Sequence, residues 1–173
     1  MKKTIFIALV ALFIGLSANA QRYAVIDTKY ILEKLKDYKD ADKKIQQTAD
    51  GWQKQLDSAQ AELDRMYKNY DAEQYMLTDE LKKKRESELF NREKDLRELQ
   101  KKRFGYEGDL FKERERLVKP IQDRVFNAIQ KLAVAKGWDF VLDKSEGITV
   151  IFADPKLDKS EDVLREMRIS SGN

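Results

Sequence analysis

Four groups of side chains in this sequence could do chemistry, and each also has a plain structural use. Lys82-Lys83-Lys84-Arg85 and Lys101-Lys102-Arg103 are basic clusters of the kind that contact polyanions or anionic lipid. Gly105 and Gly108 have the spacing of a nucleic-acid GxxG loop, but they lie inside a helical pattern and read as local softening or close packing. Asp143, Ser145, Gly147 and Asp154 loosely suggest a calcium loop. The glycine there is one position early, and a β-prone run stands where the exiting helix belongs, so a hairpin turn is the better reading. Met66, Tyr67, Tyr70, Tyr75, Met76 and Leu77 form the fourth group. Met is polarisable and rotatable, and Tyr is amphipathic, which suits adaptable contact with varied apolar segments.

Bond-making chemistry fares badly. The chain has no Cys and no His, which removes a disulfide framework, the usual zinc ligand sets, a Ser-His triad and a Cys nucleophile. It carries no phosphate-binding glycine loop and no G-x-S-x-G. Its many carboxylate pairs are the ordinary neighbours of charged helices. The reading is a non-enzyme with no metal and no cofactor.

Charge distribution weighs the basic clusters. Residues 51–80 hold 3 positive and 7 negative side chains, and residues 81–104 hold 10 and 5. A reversal of the chain near residue 76 would lay an acidic limb beside a basic one. Mutual electrostatic support is then favoured over a polyanion site, with only weak anionic-lipid contact left to Lys82, Lys83, Lys84 and Arg85, and no nucleic acid.

The elements that position these groups begin after a targeting segment. Lys2 and Lys3 precede an uncharged, mostly apolar stretch from Thr4 to Leu16, and Ala18-Asn19-Ala20 supplies a small-x-small cleavage pattern. Residues 1–20 read as a signal peptide cut between Ala20 and Gln21, so the mature chain is exported. Export removes Lys2 and Lys3 and lowers the formal charge from +3 to +1, the difference of 32 and 31.

Tyr23 to Ile26 is β-prone, and Asp27 or Thr28 can cap the helix that follows. Ile45, Ala49, Trp52, Leu56, Ala59, Leu63, Met66 and Tyr70 then alternate spacings of 4 and 3, a heptad seam. A helix reversal is expected near residues 74 to 78, with Thr78 as the next cap. The returning limb carries a heptad at Leu89, Leu96, Arg103, Leu110 and Leu117 and a second stripe at Phe104, Phe111, Val118 and Val125. Pro120 should kink or restart that helix. Beyond Gly137, Phe140-Val141-Leu142 and Ile148 to Phe152 read as two strands, followed by a turn at Asp154-Pro155. A last helix has a capping-box spacing at Asp158 and Glu161.

The expected fold class is α+β, mostly α. Residues 21–36 and 119–173 form a small β-containing body whose core is Tyr23, Val25, Ile26, Phe140, Val141, Leu142, Ile148, Val150 and Phe152. Residues 37–118 form a long antiparallel helical-hairpin arm. So small a sheet has exposed edges and little core, and self-association is the usual remedy.

Several stretches resemble the Skp/OmpH family of periplasmic chaperones: Tyr23-Ala24-Val25-Ile26-Asp27, Val118-Lys119-Pro120-Ile121-Gln122, Gly137-Trp138-Asp139-Phe140-Val141-Leu142-Asp143 and Ala153-Asp154-Pro155 before Leu157-Asp158. The resemblance covers essentially the whole mature chain. It implies a homotrimer with three hairpin arms around a cavity, holding unfolded outer-membrane proteins without ATP. Arms in the family are often distinctly basic, and this chain departs from that at +1. The alternatives are a periplasmic coiled-coil adaptor and a binder of anionic envelope surface such as lipopolysaccharide.

Overall fold

The computed structural model describes residues 22–145 and 150–170. In chain order these form β1 (Tyr23–Ile26), α1 (Thr28–Lys34), α2 (Lys36–Glu73), α3 (Asp79–Phe104), α4 (Asp109–Lys136), β2 (Phe140–Asp143), a 3-10 turn (Pro155–Leu157) and α5 (Ser160–Ser170). They fall into two compact units. One is built from the chain up to Ile31 and from Val125 onward, and the other spans Leu32–Arg124. The signal segment and its cleavage point at Ala20 and Gln21 lie outside the described residues.

The first unit is organised by β1. It pairs with β2 in parallel, Tyr23 opposite Phe140 and Ile26 opposite Asp143. On its other edge Val25 bridges Asp158, with the Lys159 amide donating to the Val25 carbonyl at 2.8 Å. The strand is therefore covered on both edges, and Ala24, Val25 and Ile26 are buried together with Ile31, Val163, Leu164 and Met167. The expected second strand of a hairpin does not form at Val150 to Phe152, which have no strand structure. Ile148 and Thr149 of that run lie outside the described residues. The backbone that flanks β1 is instead the turn into α5, held there by the Lys159 amide on the Val25 carbonyl and by Ser160 Oγ, which accepts from the Asp27 amide just past the strand.

α4 ends in a left-handed residue, Gly137, with φ of 65°. The Trp138 amide reaches back to the Ala133 carbonyl at 2.9 Å, which satisfies an orphan acceptor of the last turn. Pro120 neither stops nor restarts α4, which runs through it without a break. One backbone hydrogen bond is forgone, but Val118, Ile121 and Val125 are buried on either side and hold the helix in register.

In the second unit α2 and α3 pack antiparallel: as α2 advances from Trp52 to Tyr70, its partners on α3 retreat from Phe104 to Glu86. The seam residues of α2 are all buried or half-buried, with Ile45, Leu56 and Leu63 the deepest. The returning limb is not one helix. Gly105 and Gly108 break it, correcting the expectation of a softened but continuous helix. A Cβ at Gly105 would sit 2.3 Å from the Lys101 carbonyl oxygen, and one at Gly108 would sit 2.8 Å from the Lys102 oxygen. Between them Glu107 takes a left-handed φ of 52°.

Candidate functional site

The turn between α2 and α3 is made by local chemistry. The Gln74 amide donates to the Tyr70 carbonyl at 2.8 Å and the Met76 amide to the Glu73 carbonyl at 2.9 Å, closing α2. Thr78 then opens α3 from an extended conformation, its hydroxyl oxygen accepting from the Leu81 amide at 3.4 Å. Asp79 and Glu80 follow in the first turn, where carboxylates are stabilised by the helix dipole. The break lies where the sequence pattern expected it. Tyr75 and Met76, two residues of a five-residue link, are left 88% and 80% exposed.

The other members of the aromatic and sulfur group are distributed between seam and surface. Met66 is half-buried and lines two small grooves between α2 and α3. The larger, about 170 Å³, is otherwise walled by Ala59, Leu63, Leu96 and Leu99 with Arg92 and Asp95 at its rim. Tyr70 is half-buried and donates its hydroxyl to Glu86 Oε1 at 2.6 Å, which raises the phenol's pKa above its ordinary value. Tyr67 is partly exposed, with its hydroxyl 3.5 Å from Glu93 Oε2, and Leu77 is half-buried.

The basic clusters behave differently from one another. Lys83, Lys84 and Arg85 are exposed at the start of α3, Lys82 is half-buried, and Arg85 pairs with Glu88 at 3.7 Å. The mutual support expected between the acidic and basic limbs does not take the form of ion pairs between α2 and α3 among the described residues, although Arg124 of α4 pairs with Asp37 of α2. Ion pairs within α3 join Arg97 with Glu93 and Lys94 with Glu98, while carboxylates of α2 accept from glutamines four residues earlier. Charge of opposite sign on two long helices is met more cheaply at i,i+4 spacing than across a seam filled by Leu and Met. Arg103 of the second cluster is not a surface cation at all. It lies 4.7 Å over the Trp52 ring and pairs with Asp109 at 2.6 Å.

The residues expected to form the body core are similarly divided. Val25 and Ile26 are buried, and Val141 and Val150 half-buried. Tyr23 and Phe140 stack on each other at 5.8 Å yet remain 42% and 54% exposed, and Leu142 and Phe152 are exposed too. Ile148 lies outside the described residues. Among the described residues there is no group of three His, Cys, Asp or Glu side chains placed to hold a metal, and Asp143 is occupied by Thr28 and Ser145.

Residues 22–167 match the profile of the family described as Outer membrane protein (OmpH-like). The chain belongs to the OmpH-like family. No curated protein matches it. Among solved structures it is similar to a candidate outer membrane chaperone (OmpH-like) from Caulobacter crescentus CB15. The two are 12% identical, with a TM-score of 0.70 over 89% of this chain and 88% of the other. At that identity the likeness is one of fold.

Several residues that carry the OmpH-like resemblance are parts of one hydrogen-bonded knot at the end of β1. Asp27 caps α1, its carboxylate accepting from the Tyr30 amide at 2.8 Å, while its own amide donates to Ser160 Oγ at 2.9 Å. Asp143 accepts from the Thr28 hydroxyl at 2.5 Å, the Thr28 amide at 3.2 Å and the Ser145 amide at 2.9 Å. Asp158 accepts from the amide and hydroxyl of Ser160 and from Lys144 Nζ at 2.7 Å. Glu161 is therefore not a capping-box partner of Asp158. It takes the Tyr30 hydroxyl at 2.5 Å instead. Asp139, near the start of β2, accepts from the Arg22 amide at 2.8 Å. Burial opposes ionisation of Asp143, but the hydrogen bonds from Thr28 and Ser145 outweigh it and lower its pKa; Asp158 is lowered in the same way by Lys144 and Ser160. Sequence reasoning missed this knot because pairs more than a hundred residues apart leave no periodic signal.

Proposed function

We propose that this OmpH-like chain is an ATP-independent periplasmic holdase that binds unfolded outer-membrane proteins and keeps them from aggregating in transit. The observation that carries the reading is the turn between α2 and α3, where Tyr75 and Met76 stand out from a highly charged pair of helices. An exposed aromatic and an exposed thioether beside charged helices favour weak, adaptable contact with many apolar sequences. Tyr67 and Leu77 extend that surface, and Met66 and Tyr70 border it from the seam. Residues 37–118 act as a hairpin arm, and residues 21–36 with 119–173 act as the body of a homotrimer. The exposed Tyr23, Phe140, Leu142 and Phe152 provide apolar surface for that assembly. Several arms facing one client convert weak contacts into retention through effective concentration. Lys82, Lys83, Lys84 and Arg85 add a weak contact to anionic lipid at the envelope surface.

The test is aggregation of an unfolded porin-type protein, followed by light scattering with and without the mature chain and without ATP, alongside native mass measurement. Suppression by a trimer is expected. The double variant Tyr75→Ser with Met76→Ser should bind client about tenfold more weakly, from the lost burial of two side chains, with its mass unchanged. Unchanged aggregation over a range of ratios, or client binding insensitive to that variant, would refute the reading.

A further inference from the structure

The two limbs of the second unit have their weakest backbone points at the same level. On α2, Gly51 sits one residue before Trp52, inside the helix, with no atom beyond its chain neighbours and its own helix backbone within 4 Å of where a Cβ would be. No packing contact explains a glycine there, and glycine softens a helix interior. On the other limb the helix is interrupted at residues 105–108 between α3 and α4. The interruption is built in: Gly105 and Gly108 come too close to carbonyl oxygens for any Cβ, and Glu107 is left-handed. Tyr106 at its centre is 97% exposed and adds no packing.

One residue spans this level. Arg103, in the last turn of α3, pairs with Asp109, the first residue of α4, at 2.6 Å. The same guanidinium lies 4.7 Å over the Trp52 ring of α2, and Trp52 meets Phe104 edge-on at 6.4 Å. Arg103 Nε is buried without a hydrogen-bond partner, so stacking and the single ion pair hold the group. Arg103 and Asp109 would not meet if α3 continued as a helix, because residues six apart do not face one another along it, so the pair depends on the interruption.

We infer that Gly51 and the 105–108 interruption form a joint across both limbs, and that Arg103 is the latch that holds it straight. With the latch closed, Arg103 ties together the end of α3, the start of α4 and the middle of α2. With it open, the glycine of α2 and the broken limb let the part of the helix pair between Trp52 and Phe104 swing against the part nearer Leu32 and Arg124. The device is independent of what the chain binds.

The absence of cysteine allows site-specific spin labelling of the full mature chain. Labels at Lys84→Cys and Arg114→Cys span the joint, about 45 Å apart at helical rise. Labels at Lys84→Cys and Gln100→Cys lie within α3 as a control. Dilution into unlabelled chain keeps one labelled copy in any assembly. Pulsed dipolar distances should show one narrow peak across the joint. Arg103→Gln should raise the population of bent conformers about fivefold, as expected for loss of a partly exposed charge-assisted contact. It should leave the control pair unchanged. Gly51→Ala should narrow the distribution. Asp109→Asn, which leaves Arg103 on Trp52, should broaden it by less than Arg103→Gln does, and it serves if Arg103→Gln fails to fold by circular dichroism. The inference is overturned if neither latch variant broadens the distance across the joint, or if the control pair broadens equally.

Discussion

Replacing Asp143 by Ala tests whether the knot at the end of β1 holds the first unit together. The carboxylate accepts three hydrogen bonds, two from Thr28 and one from the Ser145 amide, and the next amide, of Lys144, donates to the Ile26 carbonyl at 2.8 Å. Hydrogen bonds to a charged acceptor contribute about 1.5–3 kcal/mol each when buried. Asp143 is only part-buried, so water replaces some of what is lost. The Thr28 hydroxyl also keeps Ser145 Oγ at 2.7 Å. The net cost expected for Asp143→Ala is therefore about 2–3 kcal/mol, from two unsatisfied amides at a strand end. Asp143→Asn keeps an acceptor for one amide and turns its NH2 toward a hydroxyl able to accept, so it should cost about 1 kcal/mol.

Urea unfolding followed by circular dichroism at one fixed protein concentration measures both, since any self-association makes apparent stability depend on concentration. The lowered pKa of Asp143 adds an independent signature. Its contribution is fully present above the unfolded carboxylate pKa of about 3.9 and is lost as pH falls through the depressed folded value. Stability should thus fall below about pH 4, less steeply in Asp143→Asn, with Asp158 supplying the remaining slope in the same window. A loss under about 0.5 kcal/mol for Asp143→Ala, the ordinary scatter of surface changes, would refute the argument.

Three further outcomes follow from the packing. Ile31→Ala should cost about 3 kcal/mol in the same unfolding assay, because Ile31 is fully buried beside the β1 core. Pro120→Ala should stabilise α4 by about 1–3 kcal/mol by restoring a helix hydrogen bond, read as a raised thermal midpoint. Gly137→Ala should lower stability by about 1–2 kcal/mol, since the site is left-handed and the added Cβ would come 3.1 Å from Arg22 Nη1.

Much of the long-helix part was readable from local rules. The alternation of 4 and 3 from Ile45 to Tyr70 names the buried face of α2 because a helix repeats every 3.6 residues. Thr78 marks the start of α3 because its hydroxyl satisfies an orphan amide. The interruption at residues 105–108 was misread because the heptad from Leu89 to Leu117 passes across it without losing phase. Only the Cβ contacts and the left-handed Glu107 show that the backbone turns there. At Pro120 the helix continues and does not restart, with Val118, Ile121 and Val125 buried on either side of the lost bond.

What the sequence determined alone is what repeats or acts locally: helical seams, the Thr78 cap, the place of the α2–α3 link, and the absence of Cys and His. Tertiary structure decided what depends on distant partners. It chose the turn into α5 as the second neighbour of β1, turned Arg103 from a surface cation into a clasp on Trp52 and Asp109, and made Asp143 an acceptor for Thr28. The physical reason is range. Helix periodicity and capping act within four residues, whereas an aspartate's partner 115 positions away is selected only once the strands have met.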